Sequence, residues 1–249
     1  MTRRRILITG ASSGLGAGMA REFARRGRDL ALCARRLDRL TELRDELCAA
    51  HPDITVAVRA LDVDDHAAVP KVFGELREEL GGLDRIIVNA GIGKGARLGT
   101  GRAEANIATA TTNFVSALAQ AEAALSIFRE QRSGHLVLIS SMSAVRGLPG
   151  KKAAYAASKA GLSALGEGLA IELRSSPITV TTVQPGFIAT EMSAQAGDAK
   201  LVASLDKGVA AMVAAIEREP VRADVPAWPW RLIGAVLPRL PRAVVARVS

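Results

Sequence analysis

Short apolar runs alternate with helix-patterned stretches along the first 190 residues, and nothing else in the chain restricts its fold as strongly. The runs Arg5–Thr9, Asp29–Ala34, Thr55–Leu61, Arg85–Asn89, His135–Ser140 and Thr179–Gln184 read as strands. Between them, Leu15–Arg26, Asp38–Ala50, Asp65–Leu80, Ala103–Arg132 and Ala154–Ser175 carry amphipathic or alanine-rich helical patterns. Parallel neighbours in a sheet need long crossover connections, which helices supply. Strands that are apolar almost throughout are strands buried on both faces. The expected fold is therefore α/β: a Rossmann-like, doubly wound, mainly parallel sheet of about seven strands with helices on both faces. A helix over Ala203–Glu219 and a short strand over Ala223–Ala227 complete one domain, residues 1–227, and a basic, apolar extension, 228–249, follows it.

Composition removes several function classes. Cys33 and Cys48 are the only cysteines, too few for a disulfide framework or a cysteine-based metal site, and neither is expected. Arg3-Arg4-Arg5 leads into only three apolar residues before a glycine-rich turn, too few for a signal peptide. No apolar run approaches the roughly 18 residues of a membrane span, so a cytoplasmic location is expected. The net charge of +8 raises nucleic acid as a partner. Yet the arginines are scattered and the two Trp, one Tyr and five Phe are spread thinly, so no nucleic-acid surface is expected. The positive excess suits a phosphate-bearing cofactor.

The turn after the first strand reads Gly10-Ala11-Ser12-Ser13-Gly14-Leu15-Gly16. Its glycines let the backbone close on a pyrophosphate, and the helix that starts there aims free N–H groups and its positive end at the phosphates. Farther on, Tyr155 and Lys159 stand four residues apart, hence on one face of a helix. A phenol is a poor base at neutral pH, and a neighbouring ammonium is expected to lower its pKa.

The Gly-x-x-x-Gly-x-Gly spacing resembles that of short-chain dehydrogenases/reductases, and the resemblance extends in order over residues 4–226. It implies oxidoreduction between a carbonyl, ketone or aldehyde, and an alcohol. Where members that use NAD(H) carry an acidic residue to read the ribose, this chain has Ala34, followed by Arg35. A guanidinium there suits the 2′-phosphate, so NADP(H) is the expected cofactor and reduction the expected direction. Arg36 is expected to be a solvated neighbour of the next helix. The resemblance further implies that Asp62 and Val63 contact the adenine and that Asn89-Ala90-Gly91 passes close to the cofactor. Pro185 and Gly186, with Ile188 and Thr190, would hold the nicotinamide. Tyr155 would be the acid/base and Lys159 would hold the ribose. Ser141 would bind the substrate oxygen, with Ser143 as the alternative, and Asn113 would kink its helix and hold a water that relays protons to Lys159. Tyr155 lies fourteen positions after Ser141, one more than is commonest in the family, and the additional residue falls at Gly150-Lys151-Lys152.

Two rivals are weaker. A sugar-nucleotide-type extended member would carry Gly-x-x-Gly-x-x-Gly and a larger C-terminal part. A non-catalytic cofactor-sensing protein would be expected to lose Tyr155 or Lys159. The family also implies a homodimer or homotetramer through the helices that carry Asn113 and Tyr155. For the extension, with Trp228, Trp230 and four arginines among aliphatics, three readings stand: packing on its own or a partner subunit, peripheral membrane contact, or a lid. Glu191–Ser204 is the favoured lid. The substrate is a small carbonyl or alcohol that the sequence does not name.

Overall fold

In a computed structural model, which describes residues 3–190 and 202–248, seven strands form one sheet whose pairings are all parallel. In chain order the strands are β1 (Arg5–Thr9), β2 (Asp29–Ala34), β3 (Val56–Ala60), β4 (Arg85–Val88), β5 (Gly134–Ile139), β6 (Ile178–Pro185) and β7 (Arg222–Val225). Their spatial order is β3-β2-β1-β4-β5-β6-β7. The crossover helices are α1 (Gly14–Arg25), α2 (Leu37–Ala50), α3 (Ala68–Leu80), α4 (Ala103–Ala110) continuing as α5 (Ser116–Gln131), α6 (Ala153–Glu172) and α7 (Leu205–Glu217).

Side chains alternate across each strand, so the sheet divides the core into two layers. Ile6 and Ile8 of β1 and Leu30 and Leu32 of β2 face α1, α2 and α7 through Phe23, Leu40 and Met212. Leu7, Ile86, Leu136 and Leu138 face α3, α5 and α6 through Phe73, Phe128 and Leu162. β4 and β5 are buried along their whole length, apolar except for Arg85 and His135 at their starts.

The strand order reverses direction between β1 and β4. Chains leaving those two strands turn to opposite faces of the sheet and leave a crevice outside their carboxyl ends. The glycine-rich turn and Asn89-Ala90-Gly91 both lie at that crevice.

One expected element differs. The helix over Ala103–Arg132 is interrupted at Thr111–Val115 by a π-helical turn, where the Ser116 amide reaches back to the Thr111 carbonyl. After β7 the extension forms α8 (Ala227–Val236) and α9 (Arg242–Val248). Of the favoured lid, Glu191–Leu201 lies outside the described residues. The part that follows joins the body, with Ala203 paired to Ile188.

Candidate active site

The crevice is shaped by backbone that tolerates no side chain. Gly10 has φ of +64°, and a Cβ there would stand 2.9 Å from Ala90 Cα. A Cβ on Gly16 would collide with the Gly10 carbonyl. Asn89 locks the two strand ends together. Its amide N–H donates to Thr9 Oγ1 (3.0 Å) and its Nδ2 to the Thr9 carbonyl (2.9 Å). Asn89 and Ala90 thus press the cradle against the end of β4.

Ser13 caps α1 in extended conformation, so the first amides of the helix are free of intrahelical partners and point into the crevice. Both cradle serines accept hydrogen bonds from one guanidinium: Arg36 reaches Ser13 Oγ at 2.8 Å and Ser12 Oγ at 3.0 Å. Arg36 is thus exposed at the head of the next helix, as expected, and in addition touches the cradle. It sits at the start of α2 and spans to the phosphate turn, while Arg35 is exposed at the end of β2. Next to them Thr190 packs over Gly14, with its Cβ 3.8 Å from where a Gly14 Cβ would stand. Ile188 is buried against Gly208 of α7. Val63 is buried and Asp62 exposed at the end of β3, where the Asp62 carboxylate accepts from the Asp64 amide (3.2 Å).

On the far side of the crevice, β5 ends in Ser140-Ser141. Ser140 is buried and donates to the Lys159 carbonyl (2.8 Å), a packing role. Ser141 turns the other way and hydrogen-bonds the Tyr155 hydroxyl, a bond that favours the phenolate. The Ser143 amide donates to Ser141 Oγ (3.1 Å), which fixes the start of the 3₁₀ turn that follows. The additional residue of the Gly150–Lys152 loop is taken up in a single 3₁₀ turn just before α6. Tyr155 and Lys159 follow on the first turns of that helix.

Lys159 is buried, and its ammonium donates to the Ile139 carbonyl (2.8 Å). Burial lowers its pKa to about 8. Tyr155 is raised above the ordinary phenol value, by burial first, with the Ser141 bond opposing.

Asn113 lies within the π turn and is fully buried. Its carboxamide pairs with the main chain of Ile92, accepting at Oδ1 from the amide (2.8 Å) and donating from Nδ2 to the carbonyl (2.9 Å). A Cβ on Gly91 would come within 3.0 Å of Asn113 Oδ1 and 3.5 Å of Lys159 Nζ, so these three residues meet at one point. Asp64, which sequence reasoning passed over, braces the turn: its carboxylate accepts from Thr112 Oγ1 (2.8 Å) and Ser116 Oγ (2.6 Å). No residue pattern flags such a bond between a loop and a helix 48 positions later. Among the described residues no group of His, Cys, Asp or Glu could hold a metal ion.

A glycine cradle on α1, a Ser-Tyr pair and a buried lysine thus face one crevice. Residues 4–201 match the family model described as short chain dehydrogenase. The chain belongs to the short-chain dehydrogenase/reductase family, and it is an oxidoreductase. It is similar to an oxidoreductase of Mycobacterium tuberculosis, 61% identical over 246 residues and 97% of each chain. Levodione reductase superposes with a TM-score of 0.81 at 26% identity, over 90% of this chain and 96% of that one. An alcohol dehydrogenase from the archaeon Thermococcus sibiricus, complexed with 5-hydroxy-NADP, gives a TM-score of 0.77 at 26% identity, covering 89% and 94%. Both structures share the seven-stranded fold described above.

Proposed function

We propose that this oxidoreductase interconverts a carbonyl and an alcohol with NADP(H), working as a reductase. The observation that carries the reading is Tyr155 beside Ser141, one helical turn from buried Lys159, whose Nζ meets the Asn113 carboxamide at Gly91.

The residues present fit a dinucleotide. Gly10, Gly14 and Gly16, with the amides of Ser13 to Leu15 at the start of α1, would hold the pyrophosphate. Asp62 and Val63 would lie at the adenine, and Asn89, Ala90 and Gly91 would floor the ribose. Pro185, Gly186, Ile188 and Thr190 would hold the nicotinamide, Ile188 through its main chain because its side chain is committed to α7. Arg36 supplies a guanidinium fork beside Ser12 and Ser13, and exposed Arg35 at the end of β2 would supply a second for a 2′-phosphate. The Thermococcus enzyme complexed with an NADP derivative supports that choice. When bound, the cofactor supplies the hydride.

The chain's own residues supply the rest. Ser141 holds the substrate oxygen and Tyr155 gives it a proton. A phenol whose pKa is raised by burial is protonated at neutral pH, the state a reductase requires. Lys159 holds the ribose and, with Asn113 at the π turn, returns a proton to Tyr155. Exposed Ile107, Val115 and Leu118 on α4 through α5 and Ile171 on α6 support association with further copies of the chain through these helices.

Titration of the purified protein with NADPH and NADH, followed by fluorescence, tests the cofactor. NADPH is expected to bind at least tenfold more tightly, with Arg35→Ala and Arg36→Ala each eroding the difference. Equal binding of the two would remove the NADP(H) reading. Tyr155→Phe is expected to lose about 10²–10⁴-fold in turnover of a carbonyl panel with NADPH affinity unchanged. Full turnover by that variant would refute the assignment of Tyr155.

A further inference from the structure

The C-terminal extension presents a surface that none of this chemistry uses. One side of α8 is anchored. Trp230 is buried against Gly186, where a Cβ would strike its indole, and lies edge-on to Phe187 with ring centroids 5.5 Å apart. Gly234 packs on Met142, whose Cε would be 2.9 Å from an added Cβ. Arg146 donates to the carbonyls of Pro238 (2.7 Å) and Leu240 (3.2 Å). These anchors follow β5 and β6, so the extension lies along the rim of the sheet that carries Ser141.

The other side is open and apolar. Leu232 (54% exposed) and Val236 (45%) lie one turn apart on α8, Trp228 (76%) stands exposed in extended conformation at its start, and Val244 of α9 is also exposed. Arg231, Arg239 and Arg242 are exposed among them. From Pro226 to Ser249 the chain has no Asp or Glu.

We propose that this surface seats the enzyme on an anionic lipid bilayer. Exposed aliphatics with an indole at the edge and arginines as the only charges are what a headgroup layer accepts: apolar groups enter the acyl boundary, and guanidinium groups pair with phosphates. A second copy is a poorer occupant. An isologous contact would bring two sets of arginines together with no acidic partner on either side. Seated this way, the rim that carries Ser141 faces the bilayer, so the substrates favoured are those that partition into lipid. The docking surface itself does not depend on the cofactor reading.

Sedimentation of the full chain with vesicles tests it, comparing phosphatidylcholine with equal parts phosphatidylcholine and phosphatidylglycerol. About a hundredfold stronger partition to the anionic vesicles is expected, falling at high salt. The double variant Arg231→Gln/Arg239→Gln should weaken it about thirtyfold. Trp fluorescence should shift to the blue on binding, and Trp228→Ala should abolish the shift while buried Trp230 remains. Equal partition to both vesicle types, or none, would overturn the proposal. So would concentration-dependent dimerisation that Leu232→Ser removes in a protein that leaves the vesicles in solution, for that would give the surface to a second copy.

Discussion

Burial disfavours the charged forms of both Tyr155 and Lys159, and only one hydroxyl opposes it at the phenol. Ser141 stabilises the phenolate, so it holds the Tyr155 pKa below the value that burial alone would set. Removing that hydroxyl should move the phenol further up. In Ser141→Ala the pH at which alcohol oxidation gains its base is therefore expected to rise, since a hydrogen bond to the charged form is lost. The pH profile of kcat/KM for oxidation checks this. A profile lowered in height but unmoved along the pH axis would mean that Ser141 acts on the substrate without tuning Tyr155. Cys33 shows the same burial effect without function: its thiol is pushed up to about 12 inside the core and is inert at neutral pH.

Among the elements, the π turn has the clearest link to the site. A turn with i→i+5 bonding misaligns the backbone ladder and is stable only where surrounding contacts hold it. Here Asp64 takes the hydroxyls of Thr112 and Ser116 on either side of Asn113, and His66 meets Ser116 at 3.0 Å. Asp64→Ala strands the buried Thr112 hydroxyl and leaves Ser116 with His66 alone, a cost of about 1–3 kcal/mol. It should also lower kcat about tenfold with little change in the NADPH KM, and Asp64→Asn, which keeps an acceptor, should restore most of it. A variant that loses stability but keeps kcat would show that Asp64 supports the fold and not the turn. This element also shows where sequence stops being informative. β1 and β2 occupy the expected residues and the other strands shift by one or two at their ends, because each is a buried run whose chemistry differs from the helices beside it. The glycines, Tyr155 and Lys159 were legible because they depend on local spacing. The break at Thr111–Val115 was legible only through family resemblance, since Ala-rich sequence on both sides favours one continuous helix. The cradle contact of Arg36 and the bracing by Asp64 were missed because their partners, Ser12, Ser13, Thr112 and Ser116, are brought to them only by the folded crossovers.

At the scale of the whole molecule, the end of the sheet opposite the crevice holds a buried ionic cluster that fastens the chain's last crossover to its centre. Arg85 of β4 is buried beneath Phe23, with its guanidinium 5.8 Å from the ring centre. It pairs with Glu217 at 3.0 Å and Glu219 at 3.3 Å, at the end of α7 and just beyond it. Its Nε donates to His135 Nδ1 (2.8 Å), which requires neutral imidazole with the proton on Nε2, facing Thr181 Oγ1 at 2.9 Å. Burial, then Arg85, lowers the His135 pKa to about 3. Arg3 and Thr179 help hold Glu219 down at about 2. Between the ordinary histidine value of 6.5 and about 3, the unfolded chain binds a proton at His135 that the folded chain refuses. Stability therefore falls as pH drops through that window, by at most about 1.4 kcal/mol per pH unit. Glu219 adds to the loss only below its ordinary value of 4.5, so between 4.5 and 6.5 the slope belongs to His135. In His135→Gln the carboxamide can still accept from Arg85 and donate to Thr181, but it does not titrate. Urea midpoints of that variant should be nearly flat from pH 4.5 to 6.5 where the wild type declines. Parallel slopes in the two proteins would place the acid sensitivity elsewhere and leave the cluster as packing alone.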